Sequence, residues 1–251
     1  MERTLLIDGD ILLYAESSAC EEAYDWGDDI WTLHGDARTA KERVDVWIKD
    51  IKEHLEADHV IITLTDKENW RKEVLPTYKH NRKNKRKPLV YPALKEYVIE
   101  TYKTALWETL EADDVMGILA TDPKDKTDKI IVSEDKDMKT IPGKLYNPGH
   151  PEDGIMDISV EEADLTHLTQ ALTGDVTDGY SGCPGVGPKT AMKVLKDGDW
   201  LEVVAAYEKA GLTEEDALVQ ARVARILRHG EYNKKVKEVN LWTPKCHEMS
   251  T

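Results

Sequence analysis

Acidic residues fall in five short clusters: Asp8 and Asp10 in "IDGD", Asp66 in "LTDK", and Glu111, Asp113 and Asp114 in "LEADD". Asp135 and Asp137 follow in "SEDKD", then Asp175 and Asp178 in "GDVTDG". Any one cluster alone reads as a helix cap or a solvated turn. Brought together, so many carboxylates repel one another and cannot all stay ionised without cations. Oxygen ligands with no His or Cys partner suit Mg²⁺ or Mn²⁺ rather than zinc. A pair of such ions suits phosphodiester hydrolysis, one activating water and the other stabilising the leaving oxygen.

Two further stretches bear on phosphate. "KHNRKNKRK" (79–87) carries six Lys and Arg residues and no acid; a lone basic run of this kind is also an ordinary solvated loop. "GCPGVGPKT" has the glycines of a phosphate cradle, but Pro188 separates Gly187 from Lys189 and no strand precedes it, so it is not a P-loop. It reads either as a hairpin between helices whose backbone N–H groups grip a phosphate, or as a plain helix–helix turn.

The elements that must position these groups follow from periodicity. "TLLID" predicts a buried strand ending at Asp8, "HVIITLT" a second running to Asp66, and "KIIVS" (129–133) a third leading into Asp135. An acidic, Trp-bearing connector (16–36) precedes a helix over 37–57 that Asp36 can cap; further helices are expected near 93–105 and from "EADDVMGILAT". This alternation predicts a parallel α/β sheet, with its ligand site outside the carboxyl ends of the strands. All three predicted strands end on an aspartate, which makes one site of them. Beyond residue 158 the pattern is helical: Ser159 and Glu162 form a capping box, and helices are expected over 188–197, 200–210 and 213–229. The expected division is an α/β core (1–158) with a basic segment at about 67–92, and a helical region (159–251) packed on it.

The chain has 251 residues, 40% hydrophobic and 33% charged, as in a soluble globular protein. A net charge of −15 argues against nucleic acid as a partner only until its distribution is considered. No apolar run is long enough for a membrane span, and aspartates break the N-terminal apolar stretch, unlike a signal peptide. Three patternless cysteines (Cys20, Cys183 and Cys246) suggest a reducing compartment, so the expectation is cytoplasm. Trp26 and Trp31 read as core or surface packing ahead of the alternative, a partner-binding role.

In order, "IDGD", "LTDK", "YKHNR", "LEADD", "SEDKD" and "GDVTDGYSGCPGVGPKTA" resemble the 5′-nuclease superfamily of flap endonucleases and the 5′ nuclease domain of bacterial DNA polymerase I. "NWRKEVLPTYKHNRK", "LEADDVMG", "KDMKTIP", "DVTDGYSG" and "ARILRHGEYN" are most similar to the 5′→3′ exonuclease of short-tailed bacteriophages, over about residues 4–244. The resemblance implies a PIN-like α/β core with a central, mostly parallel sheet and flanking helices, a helical arch, and a C-terminal helix–turn–helix DNA-binding part. It implies that Asp8, Asp66, Glu111 and Asp113 hold the ion that activates water. Asp135, Asp137, Asp175 and Asp178 would surround a second ion, with Asp113 or Asp114 shared. Asp10 and Glu134 depart from the family pattern and are left outside the site.

By the same resemblance, Lys79 and Arg82 are the catalytic pair over the scissile phosphate. Lys83, Lys85, Arg86 and Lys87 hold a threading 5′ end, and Tyr78 either stacks on a terminal base or packs. Gly185, Gly187, Lys189 and Thr190 lie in the duplex clamp, which in the family often carries K⁺. The implied activity is a Mg²⁺-dependent 5′→3′ exonuclease on duplex DNA, with Mn²⁺ a substitute, acting also on RNA–DNA hybrids and releasing 5′-phosphorylated products in phage replication and host DNA breakdown. The implied partners are DNA with 5′ ends, 5′ flaps and phage replication proteins, in the host cytoplasm. The alternatives are a 5′-flap endonuclease, a non-catalytic DNA-binding protein and a small-molecule phosphatase.

Overall fold

A computed structural model describes residues 2–82 and 85–244. In chain order the elements are β1 (Arg3–Asp8), α1 (Gly9–Ala19), β2 (Glu21–Asp25), β3 (Trp31–Gly35), α2 (Ala37–His54), β4 (His59–Leu64) and α3 (Arg71–Val74). Then come α4 (Tyr91–Thr101), β5 (Thr104–Leu106), α5 (Ala112–Ala120), β6 (Asp128–Val132), β7 (Gly143–Tyr146) and β8 (Ile155–Ile158). The helical part holds α6 (Val160–Thr173), α7 (Pro188–Val194), α8 (Trp200–Lys209) and α9 (Glu214–Ala224), followed by a small ladder of β9 (Tyr232–Asn233) and β10 (Glu238–Val239).

The central sheet runs β5-β4-β1-β6-β7-β8, parallel except for the antiparallel β7–β8 pair. β1 is its hinge point. Leu5 and Ile7 pack into the core beneath α1, α2 and α4, while Leu6 points to the other face with Met116 of α5. A strand covered on both faces reads as a continuous apolar run, which is why "TLLI" has no polar alternation. Gly9 is required at the start of α1: a Cβ there would lie 2.5 Å from the Thr63 carbonyl oxygen of β4.

The helical part has its own buried cluster, with Leu172, Trp200, Val203, Tyr207 and Ala221 among its members. It meets the sheet side through α6 and through α9, and the chain after α9 returns to lay Ile226 and Leu227 against α5. Ser159 caps α6, exchanging hydrogen bonds with Glu162 as the capping-box spacing predicts.

Several elements differ from the sequence-based expectation. The connector at 16–36 is the end of α1 followed by the β2–β3 hairpin, and its Trp26 and Trp31 are exposed, 70% and 60%, rather than packed. The helix expected to reach residue 229 stops at Ala224, because 225–227 is drawn into extended contact with α5. The basic segment contains one turn of helix at α3 and a 3-10 turn at His80–Arg82, with no longer helix among its described residues.

Candidate active site

The carboxyl edge of the sheet gathers the acids. Asp8 ends β1 and caps α1, accepting from Ile11 N at 3.2 Å, and its other oxygen accepts from Ser133 Oγ at 2.8 Å. Asp66 follows β4 and accepts from Thr109 N at 2.9 Å. Asp135 follows β6 and accepts from Asp137 N at 2.8 Å. Glu111 precedes α5 and Asp113 lies in its first turn, both carried to the same edge. A cleft of about 810 Å³ is lined by Asp8, Asp66, Glu111, Asp113, Asp135 and Asp178 together with the cations Lys79, Arg82, Lys85, Arg86 and Lys87.

Burial and crowding govern the charges here. Burial pushes the Asp8 carboxyl up to about 6, with Asp10 and Asp135 adding repulsion against the lowering effect of its two donors. Burial, then Asp8 and Glu111, hold Asp113 well above the usual carboxylate range. Asp137 is pushed up to about 7 by burial and by Asp135, with Asp175 and Asp178 contributing. Glu111 goes the other way: burial opposes its ionisation, but Lys79 and Arg71 hold it down at about 2. These are the signatures of anions crowded faster than the protein's own cations neutralise them.

Two cations enter the cluster. Lys79 Nζ lies 2.5 Å from Glu111 Oε1 and 3.5 Å from Asp178 Oδ2. Burial would lower its pKa, yet Glu111, Asp178 and Asp113 raise it, so the ammonium stays charged. Its backbone has φ +51°, and its N–H bonds to Asp178 O at 2.8 Å, which turns the side chain inward. Arg82 donates to Asp178 Oδ1 at 2.6 Å. Among the described residues, no three His, Cys, Asp or Glu side chains stand close enough to hold an ion between them; Lys79 and Arg82 take up Glu111 and Asp178. The donor set is nevertheless all oxygen, as a hard divalent cation requires.

Asp137 and Asp175 do not line the cleft. Asp137 accepts from Gln170 Nε2 at 2.7 Å, and Asp175 closes its own turn on Thr177 N at 2.7 Å and accepts from Lys136 Nζ at 3.0 Å. Asp137 nonetheless feels Asp135, Asp175 and Asp178, so this group borders the cluster from the helical side.

Two expectations are corrected. Asp114 is not available as a metal ligand: it is wholly buried, paired with both Nη atoms of Arg71 at 2.7 and 2.8 Å. Neighbours on a helix point about 100° apart, so Asp113 faces the cleft and Asp114 faces the interior. Tyr78 is not free to stack on a base. It is 3% exposed, with its hydroxyl 2.8 Å from Glu111 Oε2 and 3.0 Å from Asp178 Oδ2.

Of the remaining expected residues, Lys85, Arg86 and Lys87 line the cleft and the clamp residues do not. Arg86 makes a two-pronged pair with Glu21, and Lys87 lies over the Tyr91 ring. Lys83 lies outside the described residues. Gly185 (φ +75°) and Gly187 open α7, and Lys189 and Thr190 are exposed; none of the four lines the cleft. Glu134 is exposed, outside the cluster.

Asp10, which the family pattern leaves outside the site, lines the cleft, as do Lys67, Tyr91 and Lys95, which no sequence motif singles out. Asp10 accepts from Thr65 N at 3.2 Å and from the Tyr91 hydroxyl at 3.0 Å. Its signal was present in "IDGD"; Lys95 sits alone on α4 and carried none.

Residues 3–147 match the family described as 5′-3′ exonuclease, N-terminal resolvase-like domain. The chain is 34% identical to the exodeoxyribonuclease of Enterobacteria phage T3, over 96% of this chain and 93% of that protein. It is equally 34% identical to the exonuclease of Escherichia phage T7, with the same shares covered. The structure of the T5 5′-exonuclease with bound zinc superimposes with a TM-score of 0.66 at 17% identity, over 89% of each chain, and so shares the fold. The chain belongs to the 5′-3′ exonuclease family and is a nuclease of that family.

Proposed function

We propose that the protein is a Mg²⁺-dependent 5′→3′ exodeoxyribonuclease on duplex DNA, which also removes RNA from RNA–DNA hybrids and releases 5′-phosphorylated mononucleotides or short oligomers. The observation that carries this reading is one cleft of about 810 Å³ in which strand-end carboxylates and half-buried Lys79 face the same space. Similarity to phage exonucleases along nearly the whole chain supports it.

In this reading Asp8, Asp66, Glu111 and Asp113 hold one ion, and Asp135, Asp137, Asp175 and Asp178 border a second. The bound ions would supply an activated water and compensation for charge on the leaving oxygen. Mn²⁺ would substitute, and K⁺ would sit at the clamp of Gly185, Gly187, Lys189 and Thr190.

The chain's own groups do the rest. Lys79 and Arg82 are cationic donors that can exchange their carboxylates for a phosphate oxygen and stabilise charge developing there. Lys85, Arg86 and Lys87 attract the backbone of the 5′ strand. Residues 1–158 act as the catalytic core and 159–251 as the duplex-holding part. The setting is phage replication and host DNA breakdown in the host cytoplasm, alongside phage replication proteins; among the described residues no helix is long and apolar enough to cross a membrane.

Digestion of a 5′-labelled blunt duplex and a matched 5′-flap duplex, with Mg²⁺ and then with EDTA, tests the reading. Release of mononucleotides or short oligomers from both, abolished by EDTA, is the expected result. Cutting confined to the flap junction would instead indicate a flap endonuclease, the activity named for the Xni protein of Shewanella sp., to which 64% of this chain is 31% identical. No cutting with any divalent ion would leave a DNA-binding protein.

A further inference from the structure

Arg71 belongs to no cluster picked out above for its chemistry, yet it is buried and fully engaged beside the cleft. It is 2% exposed, and all five of its N–H donors are used. Nε donates to the Val223 carbonyl at 2.9 Å; Nη1 donates to Glu111 Oε2 at 3.2 Å and to Asp114 Oδ2 at 2.7 Å. Nη2 donates to Asp114 Oδ1 at 2.8 Å and to the Arg225 carbonyl at 2.6 Å. Asp114 is closed in the same way, also accepting from Trp70 Nε1 at 3.0 Å and Leu227 N at 3.1 Å.

This knot joins three segments far apart in sequence: the root of the basic segment, the start of α5, and the chain that follows α9. Its one outlet toward the cleft is Glu111. Glu111 Oε2 takes Arg71 and the Tyr78 hydroxyl, while Oε1 is left to Lys79 and the cleft. A carboxylate so bound on one oxygen has one orientation. A buried ion pair need not stabilise a fold, so its completeness here calls for another role.

We infer that Arg71 and Asp114 are positioning residues for Glu111, and that the 223–227 segment is the third support of that arrangement. The inference rests on the proposed role of Glu111 as a metal ligand. Lys at position 71 would keep the charge but lose the planar, five-donor fork, so it would not hold the geometry.

The test is Mn²⁺ binding to the full chain, followed by electron paramagnetic resonance at low temperature, with circular dichroism confirming the folded state. Glu111→Gln checks the underlying reading: if it binds Mn²⁺ as tightly as the wild type, Glu111 is no ligand and the reading itself fails. If Glu111→Gln weakens binding, Arg71→Lys and Asp114→Asn are expected to weaken it by about 10- to 100-fold, as loss of groups that orient a ligand does. Excess Mn²⁺ should restore turnover in both, with KM for DNA unchanged. Folded variants with lower melting temperature but wild-type Mn²⁺ affinity would overturn the inference and make the knot purely structural. Trp70→Phe removes one Asp114 donor while leaving every Arg71 hydrogen bond in place and an aromatic ring against its guanidinium. It is expected to fold and to show a smaller loss; equal or greater loss than Arg71→Lys would also overturn the assignment.

Discussion

Arg82 reaches across the cleft to Asp178, Nη2 to Oδ1 at 2.6 Å, and so ties the basic segment to the helical half. The pair is partly exposed, 42% and 18% at the side chains, so its contribution to stability is small. On the proposed reading its role is placement: a phosphate entering the cleft would meet a guanidinium already held there by Asp178. Arg82→Ala and Lys79→Ala are each expected to lower kcat on a 5′-labelled duplex by about 10²- to 10³-fold, the scale for removing one donor to developing charge. Melting temperatures should move little for Arg82→Ala. A loss confined to KM for either variant would reduce it to electrostatic steering.

Asp113→Asn separates chemistry from folding. Burial and the nearby Asp8 and Glu111 raise this carboxyl well above the ordinary range. A carboxyl raised in the fold costs stability at pH values above its ordinary one, and the amide removes that cost. The expected outcome is no detectable cleavage, retained DNA binding, and a higher melting temperature in EDTA at pH 8 than the wild type. Retained turnover would remove Asp113 from the metal site.

Asp8 and Asp137 make the metal-free protein less stable as pH rises. Their carboxyls titrate near 6 and 7 in the fold, against an ordinary value of 3.8. At these two groups the folded state holds more protons than the unfolded one between pH 4 and 7, so their contribution to stability falls with increasing pH. This outweighs buried His167, which is held down to about 3 and acts in the opposite sense below its ordinary 6.5. Urea unfolding in EDTA at pH 5 and pH 8 should show the decline, and Asp137→Asn should flatten it. Divalent ions should bind with proton release and more tightly at pH 8 than at pH 5; equal affinity at both would contradict the assignment.

Gly117 lies where α5 meets the returning chain, and a Cβ there would stand 2.3 Å from the Leu227 carbonyl oxygen. Backbone cannot step aside as a side chain can. Gly117→Ala is expected to cost about 1–3 kcal/mol by urea denaturation. Because Leu227 N donates to Asp114, the variant should also weaken Mn²⁺ binding. Wild-type stability would mean that the segment after α9 yields freely.

Much of this was legible in the sequence. Three apolar runs each ending on an acid give β1, β4 and β6, and the topology of parallel sheets then brings Asp8, Asp66 and Asp135 to one edge. The capping patterns at Asp36 and Ser159 set helix starts within a residue. What could not be read was direction. "DD" names two acids, and only the packing of α5 decides that Asp113 faces the cleft while Asp114 meets Arg71. Tyr78 was ambiguous for the same reason, since an aromatic beside a basic run has no periodicity to show whether it is buried. β5, β7 and β8 have three or four residues each, too short to display alternation, and β2–β3 lacks the buried face that would mark it as a hairpin.

The basic segment is fastened at both ends, by Arg71 in its buried knot and by Glu21, which holds Arg86 and Leu89 N. Between these ends Tyr78 and Lys79 meet Glu111 and Arg82 meets Asp178, so the stretch is pinned along its way and not only at its ends. Its length is thereby tied to the cleft. A residue added before Arg82 must pull one of these contacts out of register, at a cost that loop closure, about 0.6 kcal/mol for each doubling of length, does not set.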